Sequence, residues 1–122
     1  MNFKNVTDQT LDANLKSLVV SERELLSEIL LHIAEIDKRR LFLHFGYPSL
    51  FEYLTKHIGY ASGSAQRRID AARLSFEVPE VIADLESGKI NLAQVTLVQK
   101  AIREVQSVSK VKVDQKVKEK LV

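Results

Sequence analysis

Hydrophobic residues recur every three or four positions along almost the whole chain, the spacing that places them on one face of an α-helix. The first such run begins near Thr7 or Asp8 and predicts a short helix. Its apolar face consists of Leu11, Leu15, Leu18 and Val19. A longer run follows, and its predicted buried stripe consists of Leu25, Leu26, Ile29, Ile33 and Ile36. The pattern predicts an all-α fold, a compact domain of about six to seven helices.

Residues that favour helix ends divide this pattern into separate helices. Ser21 is followed three residues later by Glu24, an arrangement in which the hydroxyl and the carboxylate cap the first turn reciprocally. We therefore expect the long second helix to begin at Ser21. It should run to about Phe45 and end at Gly46, because glycine readily adopts the left-handed conformation found after helix C-termini.

A tight turn is predicted between the third and fourth helices. Ser49 and Glu52 form another capping pair, and Gly59 marks the end of the third helix. The fourth helix begins after the turn, with Ser62 as its N-cap or Ser64 as the alternative. Two short helices joined by a glycine turn are the arrangement of a helix-turn-helix, here at about residues 49–76.

The last third of the chain predicts two more helices and a basic end. Pro79 starts a fifth helix, Gly88 ends it, and Asn91 caps a sixth. Residues 107–113 alternate as in a strand, yet apolar residues also recur there at helical spacing, so we expect a break at 107–109 and a helix after it. The predicted organisation is a helical domain over residues 1–106 and a basic C-terminal helix over 107–122. That helix is either truncated or a linker to a missing domain.

The fourth helix carries side chains suited to DNA. Its predicted inward face consists of Ala65, Ile69, Ala72 and Phe76. Arginine can form paired hydrogen bonds with guanine or phosphate, and glutamine can pair with adenine. Double-stranded DNA is therefore the first partner to test. The candidate DNA-binding residues are Ser62, Ser64, Gln66, Arg67, Arg68, Arg73, Lys110 and Lys112.

The distribution of charge along the sequence favours a local binding surface over a uniformly basic protein. The formal net charge is +2, which is too small to attract nucleic acid to the whole chain. The excess is C-terminal, because residues 100–122 contain seven lysines and arginines and three acidic residues. Such a run is either a solvated helix face or a phosphate-binding one. Asp70 counts against DNA binding, since it would repel nearby phosphate and its spacing allows it to pair with Arg67 or Arg73.

Other function classes find little support in the composition. The chain has no cysteine, which excludes disulfides and thiolate chemistry. Its polar N-terminus lacks the apolar segment of a signal peptide, and no apolar run is long enough for a membrane span, so we expect a cytoplasmic protein. His32, His44 and His57 are widely spaced, which favours structural or surface roles over metal binding. We expect no catalytic site, metal or cofactor within these residues.

The sequence resembles the helical N-terminal region of a group of bacterial HNH endonuclease proteins over about residues 25 to 106. The motifs that carry the resemblance are Glu35-x-Asp37-x-Arg39-Arg40, Gly46-Tyr47-Pro48-Ser49-Leu50-Phe51-x-Tyr53, Gly59-Tyr60, Ala65-x-Arg67-Arg68-Ile69-x-Ala71-Ala72-Arg73, Pro79-Glu80-Val81 and Leu85-x-x-Gly88-Lys89-Ile90-Asn91-Leu92. The layout is also similar to the helix-turn-helix of ParB-type partition proteins. In that second resemblance the recognition-helix positions are Ser62, Gln66, Arg67 and Arg68.

These resemblances imply a DNA-binding role without catalysis. In the HNH group the nuclease unit lies downstream of this region, and none of its catalytic residues falls within the 122 positions. The chain would then be the accessory part of a nuclease or a stand-alone relative. The residues leave one alternative, a protein interaction module that forms a homodimer through the long second helix or the C-terminal helix. The apolar residues of the C-terminal helix are Val111, Val113, Val117 and Leu121.

Overall fold

The computed structural model describes residues 2–105, which fold as helices joined by short connections. The helices are α1 (Asp8–Arg39), α2 (Leu41–His44), α3 (Leu50–Glu52) with its π-helical continuation (Tyr53–Ile58), α4 (Ser62–Glu77), α5 (Glu80–Ser87) and α6 (92–105). Residues 2–105 contain no strand. The all-α prediction is confirmed. The predicted helix over 107–122, with Lys110 and Lys112, lies outside the described residues.

Helix α1 is a single helix of 32 residues, about 48 Å long at 1.5 Å per residue. The predicted division into a short helix and a second helix starting at Ser21 is wrong. Ser21 lies exposed in the middle of α1, where no glycine or proline interrupts the backbone hydrogen bonds. The N-cap is Thr7, whose hydroxyl oxygen accepts a hydrogen bond from the Thr10 N–H at 3.2 Å. The capping pattern of Ser21 and Glu24 therefore does not start a new helix here.

Helix α1 ends earlier than predicted, at Arg39. The next residue, Arg40, adopts a left-handed conformation with φ 52° and ψ 39°, which turns the chain into α2. Gly46 has a positive φ of 86°, as expected of a terminating glycine, but it follows α2 and not α1. The turn at Arg40 allows Phe42 to enter the core. Burial of this aromatic ring offsets the strain of a left-handed arginine, which the sequence pattern does not reveal.

We expect Arg40→Gly to stabilise the protein. Left-handed conformations cost an ordinary residue roughly 1–2 kcal/mol, whereas glycine adopts them freely. Glycine also makes the unfolded chain more flexible, which offsets part of this gain in the free energy of unfolding. The free energy of unfolding, measured by urea denaturation, should rise by roughly 0.5–1 kcal/mol. A decrease would mean that the Arg40 side chain stabilises the turn by more than its backbone strain costs.

Most predicted helix ends are confirmed. The Ser49 hydroxyl oxygen accepts a hydrogen bond from the Glu52 N–H at 3.1 Å, and Gly59 and Gly88 take left-handed conformations after their helices. Asn91 forms reciprocal hydrogen bonds with Gln94, both 2.9 Å long. The start of the fourth helix is a further exception besides Ser21 and Gly46, because its N-cap is Ala61. Both predicted caps there, Ser62 and Ser64, already lie inside α4.

Helix α4 is the centre of the fold, since it lies between two hydrophobic clusters. The first cluster consists of Ile33, Ala34, Phe42, Leu50, Tyr53, Leu54, Ala65, Ile69 and Ala72. The second consists of Leu30, Ala71, Leu74, Val81, Leu85 and Val95. Three of the predicted core positions are wrong: Phe76 is 55% exposed, Leu25 is 59% exposed and Ile29 is 36% exposed. Phe76 lies near the end of α4, beyond the neighbours that would cover its ring.

Four rings form a cluster where α2 meets the π-helical turn. The His57 ring lies 5.3 Å from Phe45, 5.5 Å from Tyr47 and 5.2 Å from Tyr53, measured between centroids. These spacings are typical of stabilising aromatic contacts. Among residues 2–105, no group of three or more metal-binding side chains is gathered in one place. Within the same range no helix is both long and apolar enough to cross a bilayer.

Candidate nucleic-acid interface

A three-residue turn places the start of α4 at the surface. The π-helical segment ends at Gly59, and the backbone N–H groups of Gly59 and Tyr60 both donate to the Leu54 carbonyl oxygen at 3.0 Å. Gly59 has a φ of 99°, a conformation that favours glycine. The chain then extends through Ala61 and enters α4. Residues 50–77 are thus two helical segments joined by a tight turn.

The first two turns of α4 expose a continuous surface. Ser62, Gly63, Gln66 and Arg67 are exposed, and they occupy one continuous arc of the helix surface. One turn later on the same arc, Asp70 is only 5% exposed. From there to Leu74, Arg73 is exposed and the other residues of α4 are buried. The exposed arc that starts at Ser62 is therefore restricted to the N-terminal half of the helix.

The first turn of α4 lacks a capping side chain. Its N-cap, Ala61, has no side chain that could accept a hydrogen bond. The N–H groups that begin a helix have no partner within the helix, and their dipoles add up to a partial positive charge. Helix N-termini of this kind bind phosphate and other anions. The local electrostatics therefore favour an anion at the exposed end of α4.

Arg67 carries the available positive charge of this surface. Both of its terminal nitrogens lie 4.0 Å from the place where a Cβ on Gly63 would be, so the guanidinium extends back over the first turn. Its side chain makes no ion pair with any residue in the described range 2–105. Arg67 is exposed. Its charge can therefore be used by an incoming phosphate or base.

Arg68 is held in place by the turn. Its guanidinium carbon lies 4.5 Å above the centre of the Tyr60 ring, a cation–π contact. Its Nη1 group also donates to the Ser64 carbonyl oxygen at 3.1 Å. The buried Nε has no hydrogen-bond partner among the described residues. Arg68 thus orders the start of α4 and presents only part of its guanidinium to solvent.

Asp70 does not form the ion pair with Arg67 or Arg73 that helical spacing allows. Its side chain points toward α6, where the Arg103 guanidinium lies 3.9 Å from Oδ1. The same oxygen accepts a hydrogen bond from Gln66 Nε2 at 2.9 Å. The Gln99 amide nitrogen, in the orientation that satisfies both of its polar atoms, donates to it at 3.0 Å. With these donors around it, Asp70 is a weaker obstacle to phosphate than its position in the sequence suggests.

The other predicted site residues have different surroundings. Arg73 forms two hydrogen bonds with Asp37 on α1, at 3.1 and 3.3 Å, so its charge is balanced within the fold. Ser62 is exposed at the start of α4, and Ser64 is half-buried. The structure thus brings together Ser62, Gln66, Arg67 and Arg68, and it places Arg73 in a link between α4 and α1.

Arg103 joins this surface and was not among the predicted site residues. Its side chain is 62% exposed beside Asp70. It belongs to the basic C-terminal run, so its charge was evident from the sequence but its position beside α4 was not. Residues 2–105 contain 13 basic and 14 acidic side chains. Any attraction for DNA in this part of the chain must therefore come from local placement, as at Arg67 and Arg103.

The sequence was compared with family models, curated proteins and solved structures. No family model matches it, and neither a curated protein nor a solved structure matches it. The resemblances to HNH-associated regions and to the ParB-type helix-turn-helix are therefore still predictions.

Proposed function

We propose that this chain is a non-catalytic DNA-binding module whose α4 N-terminus enters the major groove. The observation that carries the proposal is the exposed start of α4, where Arg67 and Gln66 flank an uncapped helix N-terminus after a tight turn. In helix-turn-helix proteins the first residues of the second helix contact base edges. The exposed part of α4 is this same part of the helix.

The two central side chains have distinct roles in this proposal. Arg67 binds guanine or a phosphate, because its guanidinium has parallel donors and no acidic partner among residues 2–105. Gln66 reads a base edge from a fixed orientation, since its amide donates to Asp70. This hydrogen bond leaves the Gln66 carbonyl oxygen and one N–H for the base. Arg68 supports the turn through Tyr60.

The role of the module follows from the predicted family. An HNH-associated region of this kind would position a nuclease unit on DNA, and a stand-alone relative would act as a small regulator on DNA. Both roles require affinity for duplex DNA. Neither requires chemistry by the residues of this chain.

The Arg67→Ala variant of the full chain tests the proposal. Loss of one arginine contact with a base or phosphate costs roughly 1–3 kcal/mol, so the Kd for duplex DNA should rise at least about 5-fold. Fluorescence anisotropy with labelled duplexes at low salt measures this. Wild-type affinity should also fall steeply between about 50 and 200 mM salt.

The matched control is Arg39→Ala, which removes the same charge from an arginine of α1 that pairs with Glu35 at 2.8 Å. It should leave the Kd within about 2-fold of wild type, because it changes only the overall charge. Absence of DNA binding at low salt contradicts the proposal. Equal losses in both variants also contradict it, since they would show that total charge and not the α4 surface determines binding.

The Gly63→Ala variant should lower the affinity for DNA without lowering the free energy of unfolding. Glycine within a helix costs about 0.5–1 kcal/mol relative to alanine, and an added Cβ would have only ordinary contacts with Arg67 at 4.0 Å. The variant should therefore be as stable as wild type or more stable in urea denaturation. Its DNA affinity should nevertheless fall several-fold, because the methyl group lies where the phosphate would approach. Unchanged affinity would show that the DNA backbone does not reach this turn.

A further inference from the structure

The N-terminal half of α1 projects without cover from the rest of the described chain. Burial along α1 begins at Ser27, and its buried residues are Ser27, Leu30, Ile33 and Ala34. Before that point the helix exposes large apolar side chains. Leu15 is 62% exposed and Leu18 is 67% exposed. A row of leucines that no other part of residues 2–105 covers is unfavourable in water, which marks this half as a contact surface.

The exposed row has the spacing of a coiled coil. Positions separated alternately by four and three residues form a continuous seam along α1. The seam positions are Leu11, Leu15, Leu18, Glu22, Leu25, Ile29, His32 and Ile36. This repeat of 3.5 residues is the one with which a helix packs against another helix. Of the buried residues of α1, Ser27, Leu30 and Ala34 lie on a different face, whereas Ile33 borders the seam and the seam residue Ile36 packs against the first cluster. The domain core therefore accounts for the C-terminal end of the seam but not for Leu11, Leu15 and Leu18.

The C-terminal half of the seam borders a groove in the domain surface. Near the end of the seam, an apolar groove of about 300 Å³ lies between α1 and the π-helical turn, with Ile58 and Tyr60 on its far wall. A second groove of about 780 Å³ continues it along the middle of the seam, from Ile29 back to Leu18, with Leu92 and Arg68 opposite. One half of α1 thus offers projecting leucines, and the other half offers an open channel.

We infer that α1 pairs with α1 of a second copy of this chain in an antiparallel arrangement. In one register every seam position of the first half meets a seam position of the second half. The pairs are Leu11 with Ile36, Leu15 with His32, Leu18 with Ile29, and Glu22 with Leu25 of the other copy. The spacing of the seam therefore coincides with its own reverse, as a two-fold symmetric dimer requires.

The position of the domain body favours this orientation. Antiparallel pairing places the uncovered half of each α1 beside the grooved half of the other. Because no part of residues 2–105 covers the first half, the body of the second copy has room there. Parallel pairing would place the two bodies side by side and leave both leucine-rich halves in contact only with each other.

The length of the seam is sufficient for a stable interface. From Leu11 to Ile36 it spans 26 residues, about 39 Å of helix. Specific dimers bury at least about 1,200 Å² in total. Two helices of this length, each with leucines along the contact and a groove beside it, provide a continuous apolar strip from both copies.

Sedimentation equilibrium of the full chain tests the dimer with Leu18→Glu. Two symmetry-related leucines would be replaced by carboxylates, so the dimer Kd should rise at least about 100-fold. The control is Val20→Glu, on the same half of α1 but about 160° from the seam centre around the axis. Val20 is 50% exposed, and this variant should keep the wild-type Kd. Neither residue belongs to the buried core, so circular dichroism should be unchanged in both.

Engineered cysteines test the orientation, because the natural chain has none. Leu18→Cys with Ile29→Cys in one chain should give a disulfide-linked dimer under mild oxidation, whereas either single variant should not. A dimer linked through Leu18→Cys alone indicates parallel pairing and overturns the proposal. A wild-type chain that stays monomeric at all concentrations overturns it, and so does a dimer that survives Leu18→Glu, which would place the contact elsewhere, as in residues 106–122.

Discussion

Replacement of Leu30 by alanine is expected to lower the free energy of unfolding by about 3 kcal/mol. Leu30 is fully buried in the cluster that joins α1 to α4, α5 and α6. Removal of buried leucine atoms loses their transfer free energy and leaves a cavity, at a total cost of roughly 2–5 kcal/mol. For a domain of this size the melting temperature should fall by roughly 10–20 °C. Urea and thermal denaturation followed by circular dichroism measure both quantities.

Leu31→Ala is the control for this experiment. Leu31 is the next residue on α1 and is 54% exposed, so the same change of atoms should cost less than about 1 kcal/mol. Similar losses of unfolding free energy in Leu30→Ala and Leu31→Ala would contradict the described orientation of α1. Because α1 contributes to both clusters, we expect Leu30→Ala to unfold in a single transition at the lower temperature and not in two steps.

Ala72→Leu should destabilise the protein by roughly 2–3 kcal/mol through overpacking. Ala72 is fully buried in the first cluster, where α4 lies against α1 and Phe42. The small side chain allows the helices to approach closely, and a larger one displaces either the helices or their side chains. Urea denaturation of the variant measures the loss of unfolding free energy.

The control for overpacking is Ala83→Leu, which makes the same change at an exposed position of α5. This substitution should alter the unfolding free energy by no more than about 0.5 kcal/mol. If Ala72→Leu were equally mild, space would have to exist between α4 and α1 that the buried alanine contacts do not leave. Together the Leu30 and Ala72 variants test the two sides of α4 independently.

Local signals in the sequence predicted most helix ends. Ser49, Gly59 and Asn91 act through neighbours within four or five positions, and such interactions can be recognised without knowledge of the fold. Arg40 and Ser21 show the limit of this approach. The break at Arg40 depends on the burial of Phe42 in a cluster formed by several helices. Helix α1 continues through Ser21 because no glycine or proline interrupts it there.

The core was predicted on one side of α4 only. The spacing of Ala65, Ile69 and Ala72 indicates one buried face, but α4 also buries Ala71 and Leu74 against the second cluster. A helix buried on two sides has no single apolar face, and alanines give a weak hydrophobic signal. The central position of α4 could therefore not be inferred from its own sequence.

The candidate site was predicted in outline and not in its pairings. The angular position of Arg67 around α4 correctly indicates exposure. The partners of Arg68, Asp70 and Arg73 depend on side chains from the turn, from α6 and from α1. These contacts connect positions that are far apart in sequence or on different elements, and helical spacing contains no information about them.

The π-helical segment between Tyr53 and Ile58 can absorb a change in chain length ahead of α4. A π-helix holds one residue more than an α-helix of the same span, and its wide last turn gives the Leu54 carbonyl two donors, Gly59 and Tyr60. A related chain with a single-residue deletion here would form an ordinary α-helix over the same span, so Tyr60 would keep its place after the turn. Arg68 would then keep its ring partner although the preceding helix had lost a residue. Residues 53–58 are therefore a segment in which chain length can change during evolution while the surface at the start of α4 stays in place.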